Sequence, residues 1–239
     1  MGLSSRRRLA AWAVTAVVPI LTLTACGTMT QATEVGDQSA TDPVARTRSG
    51  LVRGTATPKF DQFLGLPFAA PPVRELRFAR PAEPQSWRGI RPAGRQSPAC
   101  LQFEPTGIRE EQATSEDCLY LDVYRPRNIA KNTKLPVMVW FHGGHHTQGT
   151  GVIYGGGRMA ARTNTIVISI NYRLGALGFL AHPALSAVTP GGSGNYGRMD
   201  QLASLQWVRD NITDFGGDPK NVTIYGQSAG GAGVCDMLA

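Results

Sequence analysis

The sequence lacks the features that would assign it to several common classes of protein. It carries 24 Lys and Arg against 17 Asp and Glu, but no basic stripe interleaved with aromatic residues is present, so we expect no nucleic-acid partner. The adjacent His145 and His146 have no third ligand at a recognisable spacing, so we expect no metal ion and no other cofactor. No internal repeat is evident. With 239 residues, 42% of them hydrophobic, the chain is long enough for one large domain or two small ones.

The N-terminal region contains an apolar run, residues 9–23, that is too short to span a membrane comfortably as a helix. Three arginines at 6–8 precede this run and small residues follow it, which is the order of a secretory signal peptide. The end of the run, Leu23-Thr24-Ala25-Cys26-Gly27, resembles the bacterial lipobox, in which the signal is removed before the cysteine and lipid is attached to its thiol. We therefore interpret residues 1–25 as a lipoprotein signal peptide and Cys26 as the lipidation site. The alternative is an ordinary signal peptide with a chance cysteine.

This interpretation predicts where the chain resides and how it is divided. A diacylated Cys26 carries two hydrocarbon chains, which suffice for stable anchoring, so the membrane is an expected partner. The expected location is the bacterial cell envelope, on the outer side of the cytoplasmic membrane. Residues 26–48 are polar with no apolar period, which predicts a flexible tether. The folded domain is expected to cover residues 49–239.

Hydrophobic periodicity within the domain predicts an α/β fold. Short strand patterns occur at 49–54, 119–124, 135–141, 165–172 and 222–225, and the third is nearly continuous, as expected for a strand covered on both faces. Apolar residues at 199, 202, 205, 208 and 212 follow helical spacing. A strand, a helix and a second strand in this order imply a crossover and a parallel sheet.

The last strand pattern runs into Tyr225-Gly226-Gln227-Ser228-Ala229-Gly230-Gly231. This is a G-x-S-x-G sequence between a strand and a small-residue segment that could begin a helix, the context in which the motif marks a serine nucleophile. The glycines permit a sharp turn that exposes the Ser228 hydroxyl, and the following helix N-terminus offers N–H donors to a developing oxyanion. A plain Gly- and Ser-containing turn is the competing interpretation.

The chain resembles the type-B carboxylesterase family, which includes the cholinesterases and the neuroligins. The residues that carry the resemblance are 65–69 with Pro71 and Pro72, Arg77-Phe78, 116–121, His142-Gly143-Gly144, 171–175, Gly194-Asn195, Asp200-Gln201, Trp207-Val208, Asn211-Ile212, 215–219 and the serine turn. They are ordered from Leu51 to Gly231, as in the N-terminal half of the family. The resemblance implies an α/β-hydrolase fold with a mostly parallel central sheet.

The resemblance also implies roles for particular residues. Ser228 would be the nucleophile that accepts the acyl group, and the backbone N–H groups of Gly144, His145 and Ala229 would form the oxyanion hole. It implies a Cys100–Cys118 disulfide, where the residues alone leave two free buried thiols as an alternative, and an Arg77–Glu116 ion pair beside it. The substrate would be a small-molecule carboxylic ester.

The sequence departs from the family pattern in three places. His145 and His146 stand where the family usually has a glycine and then an aromatic residue, and Gln227 stands where many members have Glu. The printed chain ends eleven residues after Ser228, so we expect a domain truncated after the serine turn, without the acid and His of the triad. Activity would then be impaired, and a complementing C-terminal fragment becomes a candidate partner.

Two other interpretations of this departure stay open. The chain could be non-catalytic, either as a truncated remnant or as a binding module like the neuroligins, which keep the fold without hydrolysis. Alternatively, His145 or His146 could replace the missing base, because a neutral imidazole near pH 7 has a suitable pKa.

Overall fold

The computed structural model describes residues 41–102, 113–130, 132–189 and 191–238. The strands in these residues are β1 Val44–Thr47, β2 Gly50–Arg53, β3 Thr55–Ala56, β4 Phe60–Pro67, β5 Ile90–Pro92, β6 Ala99–Cys100, β7 Thr114–Ser115, β8 Tyr120–Pro126, β9 Leu135–Phe141, β10 Ile166–Ile170 and β11 Gly217–Gly226. The α-helices are α1 Gly157–Thr163, α2 Gly175–Phe179, α3 Pro183–Ser186, α4 Tyr196–Asn211 and α5 Ala229–Asp236. Short 3-10 helices cover Arg74–Leu76, Val152–Tyr154 and Ile212–Phe215.

A six-stranded sheet in the order β11-β9-β10-β8-β4-β3 forms the centre of the domain. β9 pairs in parallel with both β10 and β11, whereas the β10–β8, β8–β4 and β4–β3 pairs are antiparallel. The sheet is therefore mixed, and the expectation of a mostly parallel sheet holds only for its β11-β9-β10 half. The reason lies in the connections, since parallel neighbours need a crossover. Helix α1 links β9 to β10 and α4 lies between β10 and β11, but β3 and β4 are joined by a short turn.

The two faces of the sheet are covered by different helices. Val137, Val139 and Phe141 of β9 are fully buried, and they share one core cluster with Trp207 and Val208 of α4. On the opposite face, Ala160 of α1 packs in a smaller cluster with Leu64, Tyr124 and Val167. All five residues of β10 are buried, as expected for a strand with helices on both sides.

The predicted helix at 199–212 is observed as α4, and two positions of the apolar pattern, Val208 and Ile212, lie in the core. The rest of the buried face differs from that pattern. Leu202 is 48% exposed, whereas Asp200, Gln201 and Ser204 are fully buried. Most of their polar atoms have partners: the Ser204 hydroxyl donates to the Gln201 backbone carbonyl at 2.6 Å, and Asp200 accepts from Arg173 of the segment that follows β10. Gln201 Oε1 accepts from Arg198, whereas Gln201 Nε2 has no partner among the described residues. A buried polar group that keeps its hydrogen bonds is tolerated in a helix interface.

The folded domain begins before the predicted boundary at Ser49. Strand β1, Val44–Thr47, pairs antiparallel with β2, and its Ala45 and Thr47 are buried. The last residues of the predicted tether are thus part of a hairpin, because alternate side chains of β1 reach the core. Residues 1–40, including Cys26 and the predicted signal peptide, lie outside the described residues. None of the helices in the described residues has the length and apolar character needed to cross a bilayer.

The disulfide and the ion pair that the resemblance implied are both present. Cys100 and Cys118 are bonded across a separation of 18 residues. Arg77 contacts Glu116 through two hydrogen bonds, Nε to Oε2 at 2.6 Å and Nη2 to Oε1 at 2.9 Å. The Arg77 side chain is 42% exposed, so solvent screens this pair and its contribution to stability is modest.

Candidate active site

Ser228 lies in a sharp turn between β11 and α5. Its backbone has φ 53° and ψ −121°, a conformation that costs a residue with a Cβ about 1–3 kcal/mol and that occurs mostly at functional sites. Ser228 is exposed and occupies the N-cap position of α5, yet its hydroxyl makes no capping hydrogen bond. A serine at an N-cap normally satisfies a helix N–H. Here the hydroxyl is not used to cap the helix, although Ser228 is exposed at its start.

The glycines of the motif are required by the close approach of two backbones. A Cβ added at Gly226 would lie 2.5 Å from the carbonyl carbon of Gly230. A Cβ added at Gly230 would overlap the Phe141 carbonyl oxygen at the end of β9 and lie 2.7 Å from that of His142. The turn therefore closes on itself at Gly226 and packs directly on the end of β9 at Gly230, which is possible only without side chains at these two positions.

The loop that follows β9 lies against the serine turn. A Cβ at Gly143 would overlap the Gln227 side chain and lie 2.7 Å from the Gln227 carbonyl oxygen. The loop then makes a tight turn, in which the Gly144 carbonyl accepts hydrogen bonds from the N–H groups of Thr147 and Gln148, both at 3.0 Å. Two of the three predicted oxyanion donors are on this loop, and the third, Ala229, directly follows Ser228.

The histidines in this loop adopt the conformation that a glycine would favour. His145 has φ 54° and His146 has φ 61°, and a left-handed backbone costs a residue with a Cβ about 1–2 kcal/mol. The two histidines thus preserve the tight turn, but their left-handed backbone costs free energy that a glycine would not. Within the described residues, the N–H groups of Gly144, His145 and Ala229 donate no hydrogen bond. Three unsatisfied donors beside an exposed serine are what an oxyanion hole requires.

The structure gives no support to His145 or His146 as a base for Ser228. His146 Nε2 lies 3.1 Å from the Ala229 carbonyl oxygen and 2.9 Å from Arg198 Nη2. In the part of the chain that is described, no hydrogen bond joins Ser228 Oγ to an imidazole. Burial and, after it, the Arg198 charge lower the pKa of His146 below its usual value, but its Nε2 is engaged elsewhere.

His142, which opens the loop, has a structural role. Its ring is fully buried and stacks on Tyr172 with centroids 4.3 Å apart. Burial lowers the pKa of His142 to about 4, so it is neutral at pH 7. The Tyr172 hydroxyl donates to the His142 carbonyl at 2.7 Å, which holds the start of the loop. In the described ranges, no three His, Cys, Asp or Glu side chains lie close enough to hold a metal ion.

An open cavity of about 780 Å³ borders the same loop. Thr147 and Gln148 line one side of it, and Leu174–Leu177 with Leu101 and Gln102 form the rest. Most of this lining is apolar, as in sites for small organic ligands. Sequence reasoning missed this cavity, together with the roles of Tyr172 and Arg198. No local pattern could have indicated these roles, because Tyr172 contacts His142 and Arg198 contacts His146, in each case more than twenty-five positions away in the sequence.

A serine on a strained strand-to-helix turn, beside the loop of the adjacent parallel strand, is the arrangement found at the corresponding turn of the α/β-hydrolase fold. The chain belongs to the Carboxylesterase family, whose profile matches residues 41–239.

Individual relatives agree with this assignment. The chain is 46% identical over 198 residues to the fumonisin B1 esterase of Sphingopyxis macrogoltabida, covering 82% of this chain and 36% of that protein. It is 39% identical over 235 residues to the human cocaine esterase, covering 91% of this chain and 41% of that protein. A solved PNB esterase structure superposes with a TM-score of 0.78 at 40% identity, covering 83% of this chain and 41% of the other. The chain thus spans about two-fifths of the length of the relatives it matches.

Proposed function

We propose that the protein is a carboxylic ester hydrolase that acts through an acyl-Ser228 intermediate. Ser228 Oγ attacks the ester carbonyl, the alcohol leaves, and water then releases the acid. The N–H groups of Gly144, His145 and Ala229 stabilise the oxyanion of each tetrahedral intermediate, and the loss of one such donor typically costs about 3–4 kcal/mol. The observation that supports this most directly is the strained Ser228, whose hydroxyl is not used as a helix cap.

The substrate class follows from the cavity beside the loop. Its lining is largely apolar, with the Gln102, Thr147 and Gln148 side chains as polar groups. We propose a small-molecule ester with an apolar substituent that enters this cavity while its carbonyl lies at Ser228. Relatives named for esters as different as fumonisin B1 and cocaine are consistent with a site that recognises apolar bulk more than one particular group.

Proton transfer is the part of the mechanism that the described residues do not supply. No imidazole is hydrogen-bonded to Ser228 in the described ranges, and a positioned base typically contributes about 10²–10⁴-fold to rate. We therefore propose that the printed chain alone turns over esters slowly or not at all. We also propose that full activity requires an acid and a His from outside the described residues, for which a complementing C-terminal polypeptide is a candidate partner.

Covalent labelling tests whether Ser228 is activated by the fold. We expect a fluorophosphonate probe to modify the folded chain at Ser228, identified by mass spectrometry, and to leave both the unfolded chain and Ser228→Ala unmodified. Ser186→Ala, on α3, is the matched control and should be labelled like the wild type. A folded chain that takes up no label would contradict the proposal and favour the alternative, a non-catalytic binding module.

We further propose that Cys26 anchors the protein in a bacterial envelope through lipid on its thiol. Expressed in a bacterial host with a labelled fatty acid, Cys26→Ala should lose the lipid label and leave the membrane fraction. Cys235→Ala is the control, since Cys235 is a free, exposed thiol near the far end of the chain, and it should behave like the wild type. Retention of label and membrane location by Cys26→Ala would show that the lipobox interpretation is wrong.

A further inference from the structure

Arg198, in the first turn of α4, connects the loop that carries the oxyanion donors to the helix that follows the nucleophile. Its Nη2 lies 2.9 Å from His146 Nε2, and its Nε lies 2.6 Å from Asp236 Oδ2 of α5. Its Nη1 donates to Gln201 Oε1 at 3.0 Å. The Arg198 side chain is only 15% exposed. The planar guanidinium of Arg198 thus contacts the loop through His146, α5 through Asp236 and its own helix through Gln201.

We infer that Arg198 is a positioning residue that holds the His145–His146 turn against α5 while the His146 imidazole is neutral. This inference rests on the proposed function only in identifying that turn as part of the oxyanion hole. An arginine donates hydrogen bonds and accepts none. His146 Nε2 must therefore be the acceptor, which places the proton of the neutral ring on Nδ1.

His146 is held by its main chain as well as by its ring. Its carbonyl accepts a hydrogen bond from Gly175 N–H at 2.6 Å, and its imidazole packs on Phe179 with centroids 4.9 Å apart. The Arg198 guanidinium lies 5.8 Å from the same Phe179 ring. The ring and carbonyl of His146 thus fix the backbone next to His145, one of the proposed donors. That backbone is in the left-handed region and needs such support to persist.

Protonation of His146 changes its partner. The Ala229 carbonyl oxygen lies 3.1 Å from the same Nε2, and a single nitrogen cannot accept from Arg198 and donate to Ala229 at once. A protonated ring would donate to Ala229 and repel Arg198. The arrangement therefore has two states, one with Arg198 bound to the ring and one with Ala229 bound to it.

The charges around the ring favour the first state near neutral pH. Burial is the main cause that lowers the pKa of His146, and Arg198 from α4 is the next. Asp236 from α5 acts in the opposite direction, and His145 of the same loop adds to the lowering. His142 is close enough to interact electrostatically with His146. The folded-state pKa of His146 lies below the usual value of about 6.5, so the contribution of the neutral ring to stability is fully present above about pH 6.5. It is lost as the pH falls toward the folded-state pKa.

The test follows the imidazole signals of the four histidines by NMR as the pH is varied, with His146→Gln to assign the resonance. In Arg198→Met the pKa of His146 should rise, because a neighbouring positive charge is removed. In Asp236→Asn it should fall, because a negative charge is removed and Arg198 stays. In Arg198→Lys, which keeps the positive charge, the pKa of His146 should stay closer to the wild-type value than in Arg198→Met. Arg209→Met, an exposed arginine on the same helix, is the control and should leave His146 unchanged.

Amide hydrogen exchange reports on the loop itself. Exchange at residues 144–148 should be about tenfold faster in Arg198→Met, and in the wild type below the pKa of His146, because a charge-assisted hydrogen bond is lost. If Arg198→Met does not fold, Asp236→Asn still tests the inference through its downward shift. An unchanged pKa of His146 in the folded variants, or shifts of the same sign in both, would overturn it. Neither readout depends on ester hydrolysis, so a failed labelling of Ser228 would not be confused with a failure here.

Discussion

Replacing Asp200 by Asn is expected to lower the free energy of unfolding by about 3–5 kcal/mol, a large part of the roughly 5–15 kcal/mol that a domain has. Asp200 is fully buried and accepts three hydrogen bonds from Arg173: from the backbone N–H at 3.0 Å, from Nε at 2.8 Å and from Nη2 at 2.8 Å. The Arg173 side chain is 3% exposed. Without the carboxylate, a buried guanidinium keeps its charge and loses its counter-ion.

The same helix provides a matched control. Asp210 of α4 also pairs with arginines, Arg209 at 2.9 Å and Arg48 at 2.8 Å, but these two side chains are 67% and 68% exposed. Asp210→Asn is therefore expected to cost only about 0.2–1 kcal/mol. Urea unfolding followed by circular dichroism would measure both free energies of unfolding. Equal losses in the free energy of unfolding for Asp200→Asn and Asp210→Asn would show that burial does not increase the contribution of the Arg173–Asp200 pair to stability.

The second large effect is expected at the serine turn. A Cβ at Gly230 would overlap the Phe141 carbonyl oxygen, and neither backbone can move without disturbing β9 or the turn. Gly230→Ala should therefore destabilise the domain by about 2–3 kcal/mol and abolish fluorophosphonate labelling, because relief of the clash displaces Ser228. Labelling is measured on a sample shown by circular dichroism to be folded.

The adjacent glycine is the control for this prediction. At Gly231 a Cβ would lie 3.5 Å from the Gly226 carbonyl oxygen, an ordinary contact. Because Gly231 is inside α5, Ala there should stabilise the helix by up to about 1 kcal/mol and leave labelling intact. Two alanine substitutions at consecutive positions should thus have opposite signs. Loss of labelling in both variants would contradict this prediction. It would mean that the site requires glycine at both positions and not only at the Gly230 contact with Phe141.

Local sequence alone was sufficient for those features that depend on neighbouring residues. The apolar runs at 135–141 and 165–172 predicted the strands observed as β9 and β10, although β9 fully buries only alternate residues where burial on both faces was expected. The motif around Ser228 predicted a strand, a turn and a helix in that order. These predictions succeed because strand burial and tight turns are set by side-chain alternation and by glycine within a few residues. Family membership and the Cys100–Cys118 bond were also predicted, from the resemblance of many ordered residues.

Only the tertiary structure decided how distant residues meet. The antiparallel half of the sheet was missed because strand direction depends on connections and not on the pattern within a strand. The polar part of the buried face of α4 was missed, because Asp200 can be buried there only through its pairing with Arg173, 27 positions earlier. Likewise, His146 looked like a candidate base until its ring was found beside Arg198, 52 positions later. The sequence determined the main strands, the helix between them and the serine turn of this protein. The partners of its buried charges were decided by tertiary packing, because electrostatic pairing depends on distance in space.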